Sequence, residues 1–214
     1  MQLICLANSW RPGGRCIAGI DRATGAWVRP VPPDCDAIPE SRCTTGATAL
    51  SLLDVFDVDV ALPKETPPYQ RENRTLQSWS WIVRGRVKAA SLEPYVDDSA
   101  PIFHNTMDRV VGVVLDQLPP REWKSLQLVR PRQIRFERDA HDPHRWRARF
   151  KDKAGTEYLL KLTDPDTTRR LESGERIGTR CLLTLSLTRP WAGIDPSMLK
   201  VCYKIVAAVI DAEA

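Results

Sequence analysis

The stretch RWRARFKDKAGTEYLLKL, residues 145 to 162, decides how the chain is read. Its first seven residues alternate. Trp146, Ala148 and Phe150 point to one side, and Arg145, Arg147, Arg149 and Lys151 to the other. A period of two is the mark of a half-buried strand. DKAG, 152 to 155, is turn chemistry, and TEYLLKL, 156 to 162, is a second strand, so the whole reads as a hairpin. TDPDTTRRLESG follows. Asp164 suits a helix cap, Pro165 its first turn and Gly174 its exit, which predicts a short helix. RCLLTLSLT, 180 to 188, alternates again, and YKIVAAVI, 203 to 210, is a last, more fully buried strand. Upstream, SLQLVRPRQIRFER, 125 to 138, is an extended segment that Pro131 bends or breaks. The order strand, strand, strand, short helix, strand, strand is that of an OB-fold, a five-stranded Greek-key barrel.

The first half follows the same plan less clearly. QLICLA, RCIAGI and GAWVRPV read as strands, with DRATG turning between the last two. LLDVFDVDVAL, 52 to 62, alternates Phe56, Val58 and Val60 against Asp57 and Asp59. Residues 63 to 107 carry prolines and scattered aromatics and read as an insertion or long connection. DRVVGVVLDQL, 108 to 118, suits helix or strand equally, and LPPRE then marks a boundary. The expected architecture is mostly β: two OB-like barrels in tandem, residues 1–120 and 121–214, with short helices and a Pro-rich connection.

Composition sets the class. The chain has 214 residues, enough for one large domain or two small ones. No apolar run is long enough for a membrane span, and Leu3 to Ala7 is too short for a secretory signal. The expected location is the cytoplasm, with no membrane partner. Six cysteines contain no CxxC pair, so Cys35 and Cys43 read as free thiols rather than as a disulfide or zinc ligands. Positive charge is local. Residues 121 to 151 hold ten Lys or Arg against four Asp or Glu, whereas the remainder holds twenty-one against twenty-three. A local basic field attracts polyanions.

Two groups of residues are candidate binding sites. The first is NSWRPGGR, read as a loop of residues 8 to 14 joining the first two strands of the first barrel. Gly13 and Gly14 permit close backbone approach or positive φ, and Asn8 and Ser9 supply hydrogen-bonding groups. Arg11 and Arg15 suit a phosphate, with Arg29 across the same hairpin. Trp10 or Trp27 suits a stacked base, although Trp27 fits the core better. In this reading Arg15 and Arg29 approach each other around one concavity. The alternative for the loop is a plain turn. The second candidate is a basic strand face of Arg130, Arg132, Arg135, Arg145, Arg147, Arg149 and Lys151, which suits a phosphate backbone with salt-sensitive affinity. Its alternative is an ordinary solvated barrel surface.

Signals of catalysis are weak. There is no GxSxG, HExxH, Walker or dinucleotide motif. Asp57 and Asp59 share a strand face, as exposed acids commonly do, and His141 and His144 sit in a polar loop. No catalytic residue, metal or cofactor is assigned.

The chain resembles the bacterial dual OB domain proteins. The resemblance rests on ICLANS, GGRCIAG and GAWVRPV, then LLDVFDVDV, YQRENR, SLQLVRP, LTDP and the terminal CYKIVAAVI, in order from residue 2 to 210. It implies two OB-like barrels and a role in nucleic-acid recognition, often beside bacterial defence genes. Trp10 departs from the pattern, where a basic or polar residue is usual, and so does the region 63 to 105. The preferred expectation is a non-enzymatic module that binds single-stranded or shape-read DNA or RNA. The alternatives are a protein-interaction adaptor, and an enzyme or sensor for a nucleotide held by Asn8, Arg15 and Arg29.

Overall fold

The structure, a computed structural model, describes residues 1–35, 37–45, 48–65, 68–193 and 199–212. The C-terminal half holds β11 (Leu126–Val129), β12 (Arg132–Arg138), β13 (Trp146–Lys151), β14 (Glu157–Leu162), α2 (Pro165–Glu172), β15 (Cys181–Leu187) and β16 (Val201–Asp211). These are the strands and the helix expected from the sequence, in the expected order. Pro131 lacks an N–H and breaks the first strand, and the break has a use. β11 pairs with β15 while β12 pairs with β13, so one bent strand joins both ends of the sheet. The remaining pairings run β13–β14, β14–β16 and β16–β15. Only β14–β16 is parallel. The sheet therefore returns on itself as a barrel. Ala148, Phe150, Tyr158, Leu160, Leu183 and Leu185 fill its interior.

Asp164 caps α2 as its sequence predicts. Its carboxylate accepts from the backbone N–H of Asp166 and Thr167, and also from Val209 of β16 at 2.8 Å. The cap thus ties the helix to the barrel as well as starting it.

The N-terminal half repeats the plan. Its strands are β1 (Gln2–Arg11), β2 (Gly14–Asp21), β3 (Trp27–Val31), a small hairpin of β4 (Thr44–Thr45) and β5 (Thr48–Ala49), then β6 (Asp54–Asp57), β7 (Val60–Ala61), β8 (Asn73–Leu76) and β9 (Ile82–Arg86). β1–β2–β3 is antiparallel, β3 pairs with β8 in parallel, β8 pairs with β7, and β6 pairs with β1. β6 and β7 are separated only by Val58 and Asp59. Val58 exchanges backbone hydrogen bonds with Met1, so this sheet also closes. A 3-10 turn at Glu40–Arg42 and the β4–β5 hairpin stand where the second barrel has α2. Phe56 and Trp81 meet at 5.5 Å in this core, beside Leu3, Ile17 and Val28.

The segment 63–107, expected as an insertion, contributes to both barrels. It supplies β8, the strand that closes the first ring, and β9, which lines the outer edge of β6. Ile102 and Phe103 pack into the second core. DRVVGVVLDQL divides between both readings: β10 (Arg109–Val111) pairs with β16, and α1 (Gly112–Asp116) follows at once.

The barrels pack side by side. Ala7 and Ala18 meet Ala207 and Ala208, small side chains that let the two sheets approach closely. Ile4, Leu6 and Ile20 pack with Leu128, Leu182 and Ile210. Hydrogen bonds cross the seam, among them one from Thr184 Oγ1 to the Leu6 carbonyl at 2.6 Å and one from the Trp10 N–H to the Thr163 carbonyl at 2.8 Å. Among the described residues no helix is long and apolar enough to cross a membrane.

Candidate nucleic-acid interface

NSWRPGGR is a strand end and a tight turn, which corrects the loop expected there. β1 continues to Arg11, β2 starts at Gly14, and those two residues pair. Only Pro12 and Gly13 turn the chain, with Gly13 at φ +86°. This is the Pro-Gly arrangement of a type II turn. Gly14 has a different cause. A Cβ there would lie 2.2 Å from the Ile38 carbonyl oxygen, because Arg15 pairs with Ile38 directly alongside. Two polar side chains of the stretch bond to backbone carbonyls. Asn8 Nδ2 donates to the Leu50 carbonyl at 2.7 Å, and Ser9 Oγ donates to the Cys16 carbonyl at 3.4 Å.

The expected shared site of Arg15 and Arg29 does not form. Strand alternation separates them. Arg15 lies on the face of β2 that carries Ile17 into the first core. Val28, opposite Gly19, points to that same core, so Arg29 beside it points out toward the second barrel. Arg15 pairs with Glu40 at 3.0 Å and lies 5.9 Å from the Trp10 ring. Arg29 is 2% exposed and pairs with Glu72 at 2.6 Å. It also donates to Asn73 Oδ1 at 3.0 Å, Ser125 Oγ at 3.1 Å and Ser186 Oγ at 3.3 Å. It is a buried bolt between the barrels. Trp27 packs at the same seam. The nucleotide cluster of Asn8, Arg15 and Arg29 therefore falls away with the loop.

Most of the arginines of the expected basic strand face make ion pairs. Arg145 pairs with Asp142 at 2.7 Å, Arg147 with Asp139 at 2.7 Å, and Arg149 with both Glu137 and Glu157 at 2.8 Å. Arg130 pairs with Glu93, and Arg135 lies 3.7 Å from Glu137. The Arg149 guanidinium holds the Glu137 carboxyl below its usual range. The backbone N–H of His141, with Arg147, does the same for Asp139. Most of these arginines are thus engaged in ion pairs, although only Glu157 and Glu93 are carboxylates from outside residues 121–151. Arg132 and Lys151 stand opposite each other on β12 and β13 and make no ion pair among the described residues.

A different surface emerges beside it. The outward side of β10, β16, β14 and β13 carries Arg109, Tyr203, Lys161 and Arg147 on one face: Arg109 pairs with Tyr203, and Lys161 pairs with Arg147 and with Ile205, two residues on from Tyr203. Trp191, 54% exposed in the β15–β16 connection, leans on this face, its ring 6.1 Å from Tyr203 at 50°. The Lys161 ammonium sits 6.0 Å from the Tyr203 ring. A cleft of about 440 Å³ lies among Arg109, Lys161 and Trp191. Trp191 and Tyr203 also line a second cleft, of about 540 Å³, at the seam between the barrels. In OB-folds the face of strands two and three and the loop between strands four and five are the usual binding surface. Here those elements are β13, β14 and the connection bearing Trp191.

The sequence held one signal for this surface. TEYLLKL alternation turns Lys161 away from the core residues Leu160 and Leu162. Tyr203 was hidden in a strand that reads as buried, and Trp191 in an irregular stretch. Other candidate chemistry has structural explanations. Asp57 pairs with Arg84, and His141 and His144 donate their backbone N–H groups to Asp139 and Asp142 in the turn. No cluster of three or more His, Cys, Asp or Glu suited to a metal occurs among the described residues. All six cysteines are free thiols, Cys35 exposed and Cys43 buried.

No curated protein matches the chain. Residues 1–209 match the family model described as the dual OB-containing domain, nearly the whole length. Two barrels of one strand order agree with that description, and the chain belongs to the dual OB-containing domain family.

Proposed function

We propose that this protein is a nucleic-acid-binding module that holds a single strand on the outward face of β13, β14 and β16. The observation that carries the reading is the Trp191–Tyr203 pair with the Lys161 ammonium beside it. Accessible aromatic rings beside a cation are what sequence-tolerant strand binding uses: bases stack on the rings and phosphates follow the charge. Lys161 makes no ion pair with a carboxylate among the described residues, unlike the arginines of β13. The reading needs no chemistry from the protein itself, and it places the protein in the cytoplasm, where free thiols persist.

The test is titration of fluorescent single-stranded DNA and RNA at two salt concentrations. Tyr203→Ala and Trp191→Ala are expected to weaken binding about tenfold or more each. Lys161→Ala is expected to weaken it and to reduce the salt slope by about one. Wild-type affinity in all three variants would reject the face.

A further inference from the structure

We propose that the cleft at the seam between the barrels is a base pocket, receiving one unstacked nucleobase of the strand bound on the neighbouring face. The inference rests on the single-strand reading above and adds to it a site and an occupant.

Position is the first argument. The seam cleft and the face cleft share Trp191 and Tyr203. A strand stacked on that aromatic pair has the seam as its next opening. Size is the second. At about 540 Å³ the cleft accommodates one base with its sugar and is too small for a folded partner. Chemistry is the third. Leu187, Ile205 and the two aromatic residues give apolar walls, while Arg29, Gln70 and Ser186 bring polar groups to the lining. That combination suits a flat heterocycle with hydrogen-bonding edges. An acyl chain would offer no acceptor to the lining, and a bare phosphate would leave the walls unused.

Arg29 supplies the sharpest detail. Its two terminal nitrogens are bound by Glu72, Asn73 and the two serines, yet its Nε is enclosed and has no hydrogen-bond partner. A buried donor of this kind costs free energy unless something accepts from it. The carbonyl or ring nitrogen of a base is an acceptor of the right type. The residue that bolts the barrels together thus also presents a donor at the seam.

The experiment scans an abasic site through every position of the shortest single strand that wild-type protein binds. Positions stacked on Trp191 and Tyr203 are expected to lose affinity in every background, and one further position, the pocketed base, is expected to weaken binding tenfold or more through the seam alone. Cys16→Leu, which fills the seam from β2, is expected to remove that penalty while leaving the salt dependence of binding intact. Should Cys16→Leu fail to fold, 5-iodouracil at the sensitive position locates the base by photocrosslinking in the wild-type protein. Crosslinks within residues 9–16 or 187–191 are expected. A profile in which no penalty is lost in folded Cys16→Leu overturns the pocket and leaves the face reading standing. Crosslinks only to other segments also overturn the pocket. If no strand binds at all, both readings fail together.

Discussion

The guanidinium of Arg29 meets the carboxylate of Glu72 at 2.6 Å, where the two side chains are 3% and 8% exposed. Glu72 also accepts from Ser125 Oγ, whose hydroxyl in turn takes a hydrogen bond from Arg29. Ser125 precedes β11 and Ser186 lies in β15, so one ion pair from the first barrel is fastened to two points of the second. Removing one partner leaves a buried charge unpaired, which costs about 3–5 kcal/mol. Arg29→Ala and Glu72→Ala should each lower stability by that amount in urea denaturation. The double variant Arg29→Met, Glu72→Met should lie much closer to wild type, because no charge is then stranded. Single variants within about 1 kcal/mol of wild type would show that water reaches the pair.

Arg145, just before β13, and Arg147 and Arg149 on it should act mainly through their ion pairs. Replacing Arg145, Arg147 and Arg149 together by Gln removes the partners of Asp142, Asp139, Glu137 and Glu157. The expected outcome is a lower melting temperature with strand affinity reduced less than by Lys161→Ala alone. The pH dependence has a defined sign. Glu137 and Asp139 titrate below their usual range in the folded protein. The stability they contribute is present above the ordinary carboxylate pKa, near 4, and is lost as pH falls through the depressed values. The triple variant should therefore lose less stability than wild type on acidification below about pH 4. Equal acid sensitivity would show that these pairs do not set it.

The second barrel was legible because its signals are local. Alternation in RWRARFK and RCLLTLSLT, the Asp164-Pro165 start of α2 and the break at Pro131 each sit within a few residues. The strand β8 was not legible. Asn73–Leu76 is short, pairs in parallel with β3 on one side, and has Asn73 buried in the Arg29 network instead of an alternating apolar face. Nothing nearby in sequence announces that role. The candidate site failed for a related reason. Arg15 and Arg29 look like neighbours across a hairpin, but face parity separates them. The carboxylate that claims Arg29 comes from a stretch read as connection. The surface that replaces it draws on Lys161, Trp191 and Tyr203, which meet only once the ring closes.

The two glycines of the hairpin tip should respond differently to the same substitution. Gly13 lies at φ +86° with no atom closer than the Ala37 Cβ at 3.9 Å. Gly13→Ala should cost only the left-handed backbone penalty, about 1–2 kcal/mol. Gly14 is at φ +151° with the Ile38 carbonyl oxygen 2.2 Å from where a Cβ would be. Gly14→Ala must push apart the Arg15–Ile38 pair, whose two hydrogen bonds measure 2.7 and 2.9 Å. Its loss of stability should be clearly the larger, measured by thermal melting. Equal losses would mean that the segment after β3 yields freely.

Lys204 should make the protein more stable as pH rises into the alkaline range, relative to a variant without it. The side chain is 2% exposed inside the second barrel. Its ammonium donates to the Ile102 and Asn105 carbonyls at 2.6 Å each and to Asn105 Oδ1 at 2.9 Å, and it lies 5.2 Å from the Tyr158 ring. Burial pushes its pKa down to about 8 from an ordinary 10.5, against the smaller opposing pull of Asp108 and Asp152. Between those values the unfolded chain keeps the proton and the folded chain releases it. Deprotonation therefore favours the folded state progressively from about pH 8 to about 10.5. Lys204→Met leaves the carbonyls of residues 102 and 105 without their donor and should cost about 1–3 kcal/mol at pH 7. The stability gap between wild type and Lys204→Met should then widen from pH 8 to 10.5. Comparing the two proteins cancels the opposing effect of the buried thiols, whose raised pKa values favour the unfolded state at high pH. A gap that stays constant or narrows across this range, in urea titrations at each pH, would mean that Lys204 keeps its proton in the folded protein.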